Sequence, residues 1–215
     1  VIGWSEERPA KRGRGVAIGF KDSGGVNKPA QARVKVATSG DVFLQCGTVE
    51  IGQGIHTALR RVGADSVGGT PARARRTELD TDHTPCDQGT NASSGISVMG
   101  QAVEQAARSA RAKILEFAAG SLSIPVHELD LVDGQIIIGD ESRPLAPLVM
   151  ATYGGTGYEF TGEGFFKAAD DHRAPLETQC VSWEYGWGAA EVEVDEQTGA
   201  VTVNRLVVSG DAGTA

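Results

Sequence analysis

The chain has 215 residues, 40% hydrophobic and 22% charged, enough for a sizeable core in one large domain or two small ones. Its net charge of −8 excludes a general nucleic-acid or anionic-membrane surface, both of which need basic patches, and no apolar run reaches the length of a membrane span. Three scattered cysteines, Cys46, Cys86 and Cys180, form no Cys-x-x-Cys pair, which excludes a disulfide framework or zinc spacing and fits a reducing, cytoplasmic compartment.

Residues 1–13 are charged and irregular and read as a linker or the end of an upstream helix. Strands are predicted over residues 15–21, 32–38 and 41–49. Ala32, Val34 and Val36 alternate with Arg33 and Lys35 to mark one buried face, and Ser39-Gly40-Asp41 suits a hairpin. The spacing of Ile55, Leu59, Val62 and Val67 predicts a helix over residues 55–67, closed by Gly68-Gly69. A short strand over 74–79 gives way to a polar segment, 80–91, with too much turn chemistry to be regular.

A long helix is predicted over residues 94–119. Its stripe, Val98, Ala102, Ala106, Ala110, Ile114 and Phe117, is mostly small and would let it lie close to a sheet. Asp133-Gly134 predicts a two-residue hairpin between 129–132 and 135–138. A short helix over 145–153 has Pro144 or Pro147 in its first turn. Residues 154–180 are Gly-rich and read as one long, functional loop. A last hairpin joins 189–195 to 201–208 through Glu196-Gln197-Thr198-Gly199. Hairpins dominate an interspersed order, which gives an α+β fold: a two-layer arrangement of mixed or antiparallel strands with a long packed helix.

Two stretches carry candidate chemistry. In "CGTVEIGQGIHT" a strand turns through Gly52, Gln53 and Gly54 into a helix start, where free N–H groups and the dipole favour an anion such as phosphate. It is neither a Rossmann fingerprint, because Thr57 stands where a third glycine is needed, nor a P-loop. A lone Gly-x-Gly is more often an ordinary tight turn, but Gln53 adds both a donor and an acceptor. The second stretch, Thr90, Asn91, Ala92, Ser93 and Ser94, offers more hydroxyl and amide donors at a helix start than one cap requires.

Other residues are less informative. His56, His83, His127 and His172 show no ligand spacing, and His83 beside Asp80 and Asp82 reads as a solvated loop. Glu50, Glu163 and Glu184 are possible acids or bases with nothing to mark one as poised. Trp183, Tyr185 and Trp187 alternate as strand packing rather than as a stacking platform. No nucleophile elbow occurs.

Three segments, "GTVEIGQGIHT", "LDTDHTPCDQGTNASSGISVMGQAV" and "AAEVEVDEQTGAVTVNRLVVSGDAG", resemble in order and separation the molybdenum-cofactor region of the xanthine dehydrogenase/aldehyde oxidase family, the molybdenum hydroxylases. The likeness runs from about residue 15 to the end. It implies that residues 14–215 are a molybdopterin-binding domain portion, incomplete on its C-terminal side. In that reading Gly52, Gln53 and Gly54, with Thr90, Asn91, Ala92, Ser93 and Ser94, contact the pterin and its phosphate, the cofactor being of dinucleotide form in a bacterial enzyme. Asp211-Ala212-Gly213 would be scaffold, the family's catalytic Glu would lie beyond this chain, and the molybdenum would be held by the pterin's sulfurs and non-protein ligands, with no protein metal ligand. The resemblance further implies iron–sulfur clusters and FAD on other chains or domains. Partner subunits and a small-molecule aldehyde or N-heterocycle substrate, hydroxylated with water-derived oxygen, belong to the complete enzyme. The chain alone would be inactive. A non-catalytic scaffold of the same fold and a stand-alone phosphate- or nucleotide-binding domain are the alternatives.

Overall fold

In the computed structural model the described residues are 11–25, 27–155, 157–167, 180 and 182–211. His172 and Ala212-Gly213 lie outside them, as do residues 1–10. The chain divides into two compact units, residues 23–181 and residues 1–22 with 182–215.

The larger unit is built on a four-stranded sheet in the order β4-β3-β2-β8, where β2 is Pro29–Ala37, β3 Val42–Cys46, β4 Ala74–Arg76 and β8 Glu159–Lys167. The period-two pattern of β2 is realised. Ala30, Ala32, Val34 and Val36 are buried on one face, beside Val42, Leu44 and Cys46 of β3. The opposite face carries ion pairs, Arg33 to Glu163 at 3.0 Å and Lys35 to Glu159 at 2.9 Å. The hairpin at Ser39-Gly40-Asp41 forms as expected, pairing β2 and β3 antiparallel.

Two helices cover the apolar face. Helix α1 is Ile55–Val67, and helix α2 is Gln101–Leu122, preceded by a π-type turn at Gly95–Gly100. The predicted stripe is buried from Val98 through Ala102, Ala106 and Ala110 to Ile114, while Phe117 is half-buried. A small sheet of β5 (Leu129–Val132), β6 (Gln135–Ile138) and β7 (Glu141–Pro144) follows, then helix α3 (Leu145–Tyr153). Asp133 and Gly134 both have positive φ, 48° and 77°, as a tight two-residue hairpin requires.

The segment expected to be one long loop, residues 154–180, instead contains β8, paired antiparallel with β2 from Pro29↔Lys167 to Ala37↔Glu159. Its glycines suggested irregularity but serve close approach. A Cβ on Gly162 would lie 2.0 Å from the Ala106 carbonyl oxygen, and one on Gly164 would lie 2.0 Å from that of Ala102. Phe160 at the start of this strand closes an aromatic cluster, with ring centroids 5.4 Å from Phe117 and 5.0 Å from Tyr158. Tyr153 at the end of α3 stacks on both Phe117 and Tyr158.

The smaller unit is a three-stranded sheet in the order β1-β9-β10, with β1 at Arg12–Ser23, β9 at Ser182–Val194 and β10 at Val201–Gly210. The predicted closing hairpin is β9–β10, antiparallel, with a register shift between Val203 and Arg205. Arg12 pairs with Glu193 at 3.2 Å and Arg14 with Glu191 at 3.1 Å. Trp183, Tyr185 and Trp187 all fall on β9, and Tyr185 meets Phe20 edge-on at 5.7 Å.

Two measurements check this packing. Gly164→Ala must force α2 and β8 apart and is expected to cost about 1–3 kcal/mol or more. Gly120→Ala, at a helical site with open space, is expected to stabilise by about 0.4–1 kcal/mol; denaturant titration reads both. Burial pushes the Cys46 thiol up to about 11, whereas Cys86 is exposed. At neutral pH a maleimide should therefore label Cys86 rapidly and Cys46 only when the chain unfolds.

Candidate functional site

The turn between β3 and α1 is organised by one carboxylate. Glu50 Oε1 accepts from the backbone N–H of Gly52 at 3.0 Å and of Gly54 at 2.8 Å, and Oε2 accepts from that of His56 at 3.2 Å. These bonds, the one from Gly54 foremost, hold the Glu50 carboxyl below the usual carboxylate range, with the nearby His56 adding to the effect. Gly52 and Gly54 have φ of 99° and 77°, left-handed values that explain why glycine stands at both positions. Of the N–H groups read from the sequence as free for an anion, those of Gly54 and His56 are thus already engaged by the chain's own Glu50.

Gln53 lies across this turn. Its Oε1 accepts from Ile51 N–H at 2.7 Å and its Nε2 donates to the Val49 carbonyl at 3.2 Å. The same Val49 carbonyl receives the Thr90 hydroxyl at 3.3 Å. The two stretches singled out in the sequence therefore meet at one oxygen. A second link lies beneath them. Thr48, almost fully buried, donates its hydroxyl to Asp87 Oδ2 at 2.5 Å, and Asp87 Oδ1 accepts from Gly89 N–H at 2.8 Å. His56 Nε2 lies 3.0 Å from the Thr48 carbonyl.

The second loop is strained. Ala92 and Ser93 have φ of 46° and 53°, left-handed values that cost a non-glycine residue on the order of 1–3 kcal/mol each. Hydrogen bonds to their carbonyls hold them there. Gly24 N–H donates to Ala92 O at 2.7 Å, and Ser97 Oγ donates to Ser93 O at 2.7 Å, with Ser23 Oγ at 3.3 Å. Ser94 is buried and its N–H donates to Asn91 O at 3.0 Å. The Asn91 side chain accepts from Lys28 Nζ, a residue the sequence offered no reason to select. The two helix starts touch as well: a Cβ on Gly95 would lie 2.9 Å from Ile55 Cδ1.

Beside these loops runs a groove of about 400 Å³, lined by Val49, Leu79, Thr84, Cys86 and Asp87 among others. Of the other carboxylates considered, Glu163 is engaged with Arg33 on the far face of the sheet and Glu184 is on β9 in the smaller unit. His83 pairs with Asp80 at 3.3 Å on an exposed loop. Among the described residues no group of three His, Cys, Asp or Glu side chains could hold a metal ion, and no helix is long and apolar enough to cross a membrane. Thr48, Asp87 and Lys28 were missed because nothing marks them singly. The one legible signal was Asp87 two residues before Gly89, an Asx-turn spacing.

Known proteins identify the family to which this fold belongs. Residues 3–215 match the family of molybdopterin cofactor-binding domains. The chain belongs to that family, within the molybdenum hydroxylases of the xanthine dehydrogenase/aldehyde oxidase type. It is 28% identical over 221 residues to the probable hypoxanthine oxidase XdhD of Escherichia coli (strain K12), covering 100% of this chain and 22% of that protein. To the nicotine 6-hydroxylase large subunit of Paenarthrobacter nicotinovorans it is 31% identical over 191 residues, 85% of this chain and 22% of that one. The chain thus spans about a fifth of the length of these relatives. The crystal structure of quinoline 2-oxidoreductase from Pseudomonas putida 86 shares the fold, with a TM-score of 0.76 at 21% identity, over 95% of this chain and 27% of that one.

The Thr48–Asp87 bond is the test of how the loops are joined. Thr48→Val keeps the shape but removes the hydroxyl from a charged acceptor, for an expected loss of about 1–3 kcal/mol. Hydrogen exchange at the Gly89 amide should quicken in the same variant.

Proposed function

We propose that Gly52, Gln53 and Gly54, together with Thr90, Asn91, Ala92, Ser93 and Ser94, hold the molybdopterin cofactor in a molybdenum hydroxylase. The observation that carries this reading is the meeting of Gln53 and Thr90 on the Val49 carbonyl in a chain of the molybdopterin-binding family. The local shape fits such a group. A Cβ built on Gly52, Gly54 or Gly89 would meet nothing within 4 Å, so the backbone at all three positions is open to a close ligand. Gln53, Asn91 and Ser93 are exposed, and they bring amide and hydroxyl donors and acceptors suited to a polar heterocycle and a phosphate.

When bound, the molybdenum centre supplies the redox chemistry of hydroxylation. This chain's residues contribute binding and orientation. The complete enzyme, in this reading, oxidises an aldehyde or N-heterocycle with water-derived oxygen, and relatives named for hypoxanthine, nicotine and quinoline support the heterocycle class. In the same reading iron–sulfur clusters and FAD reside on other chains or domains, the cofactor is of dinucleotide form in a bacterial enzyme, and this chain acts with partner subunits in the cytoplasm. A stand-alone phosphate-binding role loses its main support once Glu50 engages the start of α1.

Gln53→Ala should lower the pterin and molybdenum content of the complex that co-purifies with this chain, read by pterin fluorescence and metal analysis, by about tenfold. Full occupancy in that variant would remove Gln53 from the site.

A further inference from the structure

We infer that Glu50 is a specificity-determining residue: its carboxylate acts as a built-in anion at the start of α1, so the Gly52–Gly54 turn receives a neutral hydrogen-bonding part of a ligand and turns away its phosphate. This deepens the cofactor reading above and rests on it. An open helix start offers several N–H groups and a favourable dipole to an anion. Here one carboxylate has gathered the N–H groups of Gly52, Gly54 and His56 at 2.8–3.2 Å, and an incoming phosphate would find these three donors engaged and meet a like charge.

What the turn still offers is neutral. Gln53 uses one lone pair of Oε1 and one hydrogen of Nε2 on its own loop, leaving the others for a ligand. The opposite loop differs in charge. Lys28 reaches Asn91 there, and among the described residues its ammonium has a neutral amide and no carboxylate as its hydrogen-bond partner. A ligand with a polar ring at one end and a phosphate at the other is therefore oriented, ring toward Gln53 and phosphate toward Lys28 and Asn91. Glu50 acts here as a positioning residue for the turn and as a barrier to the wrong end of the ligand.

The test uses the 215-residue chain without cofactor and inorganic phosphate as the probe. Amide resonances of Gly52, Gly54 and His56 are followed by NMR during phosphate titration of the wild type, Glu50→Ala and Glu50→Gln. The wild-type amides are expected to stay still. In Glu50→Ala they should lose protection and shift saturably with phosphate over a concentration range, about tenfold wide, in which the wild-type amides do not move. Formate, a free carboxylate, should restore their protection. Glu50→Gln, which keeps the shape and removes the charge, should admit phosphate as well and provides the reading if Glu50→Ala does not fold. Equal phosphate response in wild type and both variants, or no rescue of a folded Glu50→Ala by formate, overturns the inference. Because no cofactor is present, these outcomes bear on Glu50 alone, whereas the cofactor content of Gln53→Ala bears on the site reading alone.

Discussion

The structure of the larger unit depends on how closely α2 lies on β8. Ala102 and Ala106 present backbone to backbone against Gly164 and Gly162, with no room for a Cβ. At that separation dispersion contacts are dense and the helix has little freedom to slide or roll. Its N-terminal end is fixed as a result, and with it the π-type turn at Gly95–Gly100 and the donor-rich loop just before it. Helix α1 is held next to that end by Ile55 against Gly95. The candidate site is thus a by-product of packing: α2 is set by small residues along its contact with β8, and Ile55 against Gly95 brings the two helix starts side by side.

Much of this was legible in the chain. The small stripe on α2 announced a close-lying helix, and the hairpins at Gly40 and Asp133-Gly134 followed from turn chemistry. Both loops that meet at Val49 were selected from residue type alone. The error over residues 154–180 has a definite cause. Glycine in a strand is read as a breaker when its partner is unseen, and the partner of Gly162 and Gly164 is a helix more than fifty residues earlier. The antiparallel pairing with β2 spans an even longer separation, which no local pattern encodes.

The site's electrostatics were the least legible part. Local sequence predicts open N–H groups at the start of α1, and it takes coordinates to see that Glu50 folds over them. Its spacing, two and four residues before the glycines it binds, becomes a signal only once the turn's left-handed geometry is known. Lys28 is similar, since nothing around it in the chain foretells contact with Asn91 across 63 residues. Charge placement depends on tertiary neighbours, whereas turns and stripes depend on near ones.

The Val49 carbonyl has one further consequence. Because Gln53 and Thr90 both donate to it, the order of each loop is linked to that of the other. If Gln53 is drawn away from Val49, Thr90 is the side-chain donor that remains on that oxygen among the described residues. With the Thr48–Asp87 bond beneath it, that backbone oxygen is one of two hydrogen-bonded ties between the loops, so neither loop is anchored by its own segment alone.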